Sequence, residues 1–179
     1  MKYKIAVLGS AKTEAEEVIQ KARKLGELIA KNDCILLTGG CPGVPHEALK
    51  AAKANNGFTV GISPADDFQE HKQIDYPEDS FDLLIFTGFG KKGRNVITMR
   101  TCDAAIFISG GSGTLNEFTI AYDERKICAI LLGSGGITDI LKEIEEKYIS
   151  GRKSTSEIVI YESDPEKLIK KVLEALGKK

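Results

Sequence analysis

Apolar residues along this chain come in short continuous runs, each followed by a glycine-rich turn and then by a stretch of helical spacing. Tyr3–Leu8, Cys34–Thr38, Phe58–Ser63, Asp82–Thr87, Asp103–Ser109, Ile127–Leu132 and Glu157–Tyr161 read as strands. They do not alternate apolar with polar, so both faces of each strand are expected to be buried, as in a parallel sheet with helices on both sides. Thr13-Glu14-Ala15-Glu16 has the form of a capping box and predicts a helix to about Lys31, with Val18, Ala22, Leu25 and Ile29 on one face. Further helices are predicted over Pro45–Asn55, Arg94–Thr101, Thr114–Arg125 and Thr138–Ile149. A last one follows Ser163-Asp164-Pro165, where Pro takes its permitted first-turn place. Pro64–Ser80 is polar and acidic with two prolines, and reads as a long loop. The expectation is a single α/β domain over residues 1–179: a Rossmann-like, doubly wound, mostly parallel sheet in three αβα layers. Its ligand should lie at the carboxyl ends of the strands, near the topological switch point.

The 179 residues hold 25 Lys+Arg against 26 Asp+Glu, a net charge of −1, so neither a nucleic-acid partner nor a membrane partner is expected. No apolar run approaches the roughly 20 residues of a membrane span, and the first apolar run stops at Gly9, too early for a signal peptide; a cytoplasmic protein is expected. Cys34, Cys41, Cys102 and Cys128 are scattered, and His46 and His71 are the only histidines. Neither a metal site nor a disulfide framework is expected, and no cofactor motif is present.

Three glycine turns follow predicted strands: Gly9-Ser10, Thr38-Gly39-Gly40-x-x-Gly43, and Gly110-Gly111-Ser112-Gly113-Thr114. Glycine lets backbone approach a ligand, and a helix N-terminus behind it offers N–H groups and a positive dipole end to an anion. Ser112 and Thr114 add hydroxyls. A phosphate-bearing ligand fits this pattern; the competing reading is tight packing alone. G-x-G-x-x-G, the P-loop and the G-x-S-x-G elbow are all absent.

The segment from Gly93-Arg94-Asn95 through Asp103-Ala104 to Ser109-Gly110-Gly111-Ser112-Gly113-Thr114-Leu115-Asn116-Glu117 resembles the LOG family, long labelled lysine decarboxylase-like. That family carries an Arg at a helix start, then Asp-Ala, a strand and P-G-G-x-G-T-x-x-E. Ser109 stands at the family Pro, Asn116 at its first Glu, and Asn95 where Lys follows the Arg. The Arg94-Asn95 form is similar to a sister subgroup that includes a molybdenum cofactor carrier protein, with DprA-related proteins further out.

The resemblance implies a phosphoribohydrolase that cleaves a nucleoside 5′-monophosphate into base and ribose 5-phosphate. Arg94 and Glu117 would be catalytic, with the 5′-phosphate on the Gly110–Thr114 turn and Lys91 and Lys92 beside it. Asp103 would orient Arg94 or cap a turn. The alternative it implies is a non-catalytic carrier of a nucleotide or pterin phosphate. The residues leave other readings open: Glu117 as the end of a Thr114-Leu115-Asn116-Glu117 capping box, Arg94 as a surface residue, His46 as a surface cap, Cys41 as an inert thiol. Decarboxylation would need a pyridoxal lysine, and no motif indicates one. Val96, Ile97, Met99, Phe118, Ile120 and Tyr122 suggest more apolar surface than one sheet face buries, hence a homodimer or a tetramer of dimers.

Overall fold

The computed structural model describes residues 1–12, 14–149 and 158–177. Seven strands form one sheet in the order β4-β3-β2-β1-β5-β6-β7. They are β1 (Lys4–Gly9), β2 (Ile35–Thr38), β3 (Phe58–Ser63), β4 (Leu83–Phe86), β5 (Ala104–Ile108), β6 (Ile127–Leu131) and β7 (Val159–Glu162). Every neighbouring pair is parallel. The chain steps outward from β1 to β4, then returns beside β1 to lay down β5, β6 and β7. The switch point therefore lies between β1 and β5, where crossovers diverge and leave a crevice at the strand ends.

Side chains alternate across the sheet even though each strand is apolar throughout. Ile5, Val7, Ala104, Ile106 and Ile108 join one core with α1 (Glu16–Lys31), α2 (Val44–Ala54) and α7 (Pro165–Gly177). Ala6, Leu8, Ala105 and Phe107 join the other with α4 (Gly90–Thr101), α5 (Ser112–Asp123) and α6 (Leu141–Ile144). This is the expected three-layer fold. Gly26 lets α1 and α2 touch, because a methyl there would run into the Ala48 carbonyl.

Several boundaries differ from the sequence reading. Helix α1 opens at Glu16 with Ala15 at its cap and no capping side chain; Glu14 is turned to another task below, and Thr13 lies outside the described residues. The segment read as a loop contains α3 (Phe68–Gln73), capped by the Asp67 carboxylate on the Glu70 N–H. Its anchor is His71, fully buried among Phe68, Tyr76 and Phe86. The predicted Thr138–Ile149 helix is broken into a 3-10 turn (Gly136–Asp139), α6 and a π turn (Glu145–Ile149). The cause is tertiary: Gly136 packs on Gly110, and the Ile137 N–H donates to the Gly110 carbonyl. Strand β7 starts at Val159, and Glu157 lies outside the described residues. Asp164 does cap α7, accepting from the Lys167 N–H at 2.9 Å. Met99, Phe118 and Tyr122 are buried within the chain's own core. The homodimer expectation then rests on Val96, Ile97 and Ile120, which are half-buried.

Candidate functional site

A cavity of about 650 Å³ opens at the switch point, the size of a small-molecule site. Its walls come from the turns after β1, β5 and β6 and from the first two turns of α4 and α5. Gly9, Ser10, Arg94, Gly110, Gly111, Ser112, Gly113, Thr114 and Glu117 all line it. Four basic side chains face two acidic ones there: Lys12, Lys91, Lys92 and Arg94 against Glu14 and Glu117. The cavity is thus locally basic in a chain of net charge −1.

The helix end left open at the cavity is that of α5. Gly111 is its N-cap, no side chain caps it, and its first turn carries no acidic residue. The first N–H groups of a helix have no intrahelical partner. Here they belong to Ser112, Gly113 and Thr114, at the cavity wall. A methyl added to Gly111 would meet nothing within 4 Å, and one on Gly113 only Lys92 Nζ at 3.9 Å. The backbone is bare where a ligand would approach.

The turn before it is held from two sides. Ser109 has φ of 54°, and its N–H donates to Ser134 Oγ at 2.9 Å. Its hydroxyl donates to Glu14 Oε1 at 3.0 Å. Proline can adopt neither that φ nor that hydrogen bond, so this turn takes a backbone path closed to the Pro of the LOG pattern.

Arg94 and Glu117 meet at the cavity floor. Arg94 Nη1 donates to Glu117 Oε1 at 3.1 Å and to Asn95 Oδ1 at 3.0 Å. Asn95 Nδ2 in turn donates to Asn116 Oδ1 at 2.8 Å. Both members of the ion pair are buried. Arg94 Nε finds no protein acceptor among the described residues. Burial pushes the Glu117 carboxyl up to about 7, with Arg94 and then Lys92 opposing the rise. A carboxyl titrating near neutrality, beside a fixed guanidinium, can accept or give a proton at physiological pH. The capping-box alternative fails: α5 begins at Ser112, so Glu117 sits in its second turn and reaches across to α4. Arg94 is no surface residue, because α4 begins at Gly90 and carries it inward.

The family model for the SLOG cluster4 family matches residues 2–169. The chain belongs to the SLOG cluster4 family. The expected kinship with LOG proteins holds at the level of the SLOG superfamily and its LOG-like fold. An uncharacterised protein of Archaeoglobus fulgidus is 37% identical over 127 residues, 71% of this chain and 78% of that protein. The molybdenum cofactor carrier protein of Chlamydomonas reinhardtii superposes with a TM-score of 0.81 at 30% identity, covering 99% of each chain. DNA processing protein A of Helicobacter pylori, described for its single-stranded DNA binding mode, gives 0.67 at 20% identity. That likeness covers 96% of this chain and 80% of the other, and it concerns the fold alone.

Not every residue singled out in the sequence reaches the cavity of this SLOG protein. Thr38, Gly39, Gly40 and Gly43 do not line it. Thr38 Oγ1 accepts from the Gly40 N–H, a side chain on Gly39 would collide with the Arg94 guanidinium, and one on Gly43 would collide with the Ser10 carbonyl. These residues support the site from behind. Asp103 does not touch Arg94; it accepts from the Lys4 N–H and from Lys4 Nζ, both at 2.8 Å. His46 is buried rather than a surface cap, with Nε2 at 3.1 Å from Asp79 Oδ1. Cys41 does line the cavity, but burial pushes its thiol up to about 11, which keeps it protonated and unreactive.

Sequence reasoning missed Lys12, Glu14, Tyr76 and Gly136 as lining residues. The Gly133-Ser134-Gly135-Gly136 run after β6 was a usable signal for the last of these. Tyr76 had none, since only the tertiary fold brings it to the wall. Among the described residues no helix is long and apolar enough to cross a membrane, and no cluster of candidate metal ligands occurs.

Proposed function

We propose that this protein binds a phosphorylated small molecule of the nucleotide or pterin-phosphate class, with the phosphate seated on the Gly110–Thr114 turn. One observation carries the reading: the uncapped N-terminus of α5 forms a wall of a basic, ligand-sized cavity. The likeness to a molybdenum cofactor carrier supports it as precedent for a phosphate-bearing cargo on this fold. Lys91 and Lys92 lie beside the turn to attract the anion. The buried Arg94 braces the floor and, through its unpartnered Nε, has donor capacity left over.

A second reading is favoured by Glu117 specifically. A carboxyl near 7 in a buried pair could activate water or stabilise the oxocarbenium-like transition state of N-glycosidic cleavage. The carrier reading ranks first because Asn116 replaces a carboxylate of the hydrolytic motif and is tied up with Asn95. Glu117 itself is engaged by Arg94.

Calorimetric titration separates phosphate binding from a bare scaffold, and an adenine-release assay separates the carrier from the hydrolase. AMP is expected to bind at least about tenfold more tightly than adenosine, because the nucleoside loses the charge-assisted bonds to the turn. Equal affinities would remove the phosphate from the account. Release of adenine from AMP by the wild type, abolished in Glu117→Gln with AMP affinity kept, would promote the hydrolase reading over the carrier.

A further inference from the structure

The cavity has a second wall, opposite in character to the phosphate turn. Among its described lining residues Tyr76 alone is aromatic. It is half-buried, and burial pushes its phenol above the ordinary value while the nearby Arg94 pulls it back. It lines the same cavity as Arg94 and Glu117. Lys91 Nζ stands 5.7 Å from the centroid of its ring, within the range of a cation–π contact. Lys91 is an exposed side chain on a flexible stem, and the contact is of the weak, solvated kind.

Tyr76 is held by construction. The imidazole of His71 meets its ring edge-on, with centroids 5.5 Å apart and planes at 85°. His71 Nε2 lies 2.9 Å from the carbonyl of Pro77, so it carries the proton and donates. Nδ1 then accepts from Ser63 Oγ at 2.8 Å, and Ser63 Oγ accepts from the Ala65 N–H at 3.1 Å. This chain ties the residue after Tyr76 to the end of β3. The Tyr76 N–H itself donates to the His71 carbonyl. A fully buried histidine with both ring nitrogens used thus fixes an aromatic side chain at the wall of the cavity.

We infer that Tyr76 is the ring-binding wall of this site: the planar heteroaromatic ring of a phosphorylated ligand lies against Tyr76 while its phosphate occupies the Gly110–Thr114 turn, and His71 is the residue that positions Tyr76. The inference rests on the phosphate reading above and adds the ligand's second recognised group. Ring against ring is offset or edge-on stacking, which outweighs a solvated ammonium on the same face. Displacing Lys91 from Tyr76 leaves its charge for the anion in the same cavity. The ligand class is therefore an aromatic base or pterin carrying a phosphate, rather than a sugar phosphate or inorganic phosphate.

The test compares AMP with ribose 5-phosphate by titration calorimetry on wild type, Tyr76→Ala, Tyr76→Phe and His71→Gln. Tyr76→Ala is expected to weaken AMP about tenfold and to leave ribose 5-phosphate within twofold. Tyr76→Phe should keep AMP affinity, since the ring and not the hydroxyl makes the contact. His71→Gln should shift the ratio of the two affinities in the direction of Tyr76→Ala, a change that simple loss of stability would not produce. Equal weakening of both ligands by Tyr76→Ala, or no effect on either, overturns the ring-binding role. If AMP and adenosine bind wild type equally while AMP depends on Tyr76, the phosphate reading fails and the ring wall stands. If neither ligand binds wild type, both fall together.

Discussion

The turn after β5 and the turn after β2 look alike in sequence, glycine-rich and each leading into a helix, yet only the first brings an uncapped helix end to the cavity wall. The difference lies in the residues that follow the glycines. In α2 the Val44 N–H already donates to the Ser10 carbonyl, Pro45 has no N–H, and Glu47 places a negative charge in the first turn. Little of that helix end is left for an anion. In α5 the first turn holds Ser112, Gly113 and Thr114, with no proline, no acid and no capping side chain. The glycines also serve different neighbours. A methyl on Gly111 would meet open space, whereas one on Gly39 would strike the Arg94 guanidinium. Glycine at one turn leaves open space at the cavity; at the other it makes room for the Arg94 side chain on the cavity floor.

The largest expected effect comes from removing the group that Gly39 shelters. Arg94→Ala leaves Glu117 buried without its cation, a loss of about 3–5 kcal/mol when the carboxyl must stay charged. The pH dependence carries a definite sign. Glu117 has a folded value of about 7 against a model value of 4.5. Its contribution to stability is thus fully present below about 4.5 and is lost as pH rises through about 7. In the variant the carboxyl rises further, so urea denaturation should show a larger deficit against wild type at pH 8 than at pH 6. A deficit independent of pH would mean that Glu117 does not titrate in the folded protein as described.

A smaller, more discriminating effect comes from the glycines themselves. Gly39→Ala should cost about 1–3 kcal/mol by overpacking against a buried guanidinium. Gly111→Ala should stay within about 0.5 kcal/mol of wild type in stability, because nothing is there to strike. Its AMP affinity should nonetheless fall about tenfold, as the methyl occupies space meant for the anion. Thermal melts and AMP titrations on both variants read this directly. The reverse pattern, with Gly111→Ala unstable and Gly39→Ala defective only in binding, would exchange the roles assigned to the two turns.

The fold was legible because continuous apolar runs such as Ala104–Ile108 can be buried only on both faces of a sheet. Two elements were not. Helix α3 buries one residue, His71, and shows no apolar period to read. The break before α6 arises from Gly136 closing on Gly110, a contact between distant turns.

At the site, the glycines and hydroxyls of the β5 turn and the Arg94–Glu117 spacing were visible in the chain. The fate of the β2 turn was partly visible too, since Pro45 and Glu47 already argue against an anion there. The capping-box alternative at Thr114 is removed only by the structure, because α5 starts earlier, at Ser112. Glu14 was out of reach because its bond to Ser109 joins distant turns, and Tyr76 because only the tertiary fold brings it to the cavity.

The most direct test of the comparison is a crystal structure with AMP bound. The phosphate oxygens are expected to accept hydrogen bonds from the backbone N–H groups of Ser112, Gly113 and Thr114 at the start of α5. Phosphate density at the Gly39–Gly43 turn instead, or on the outer surface with the α5 turn empty, would contradict it.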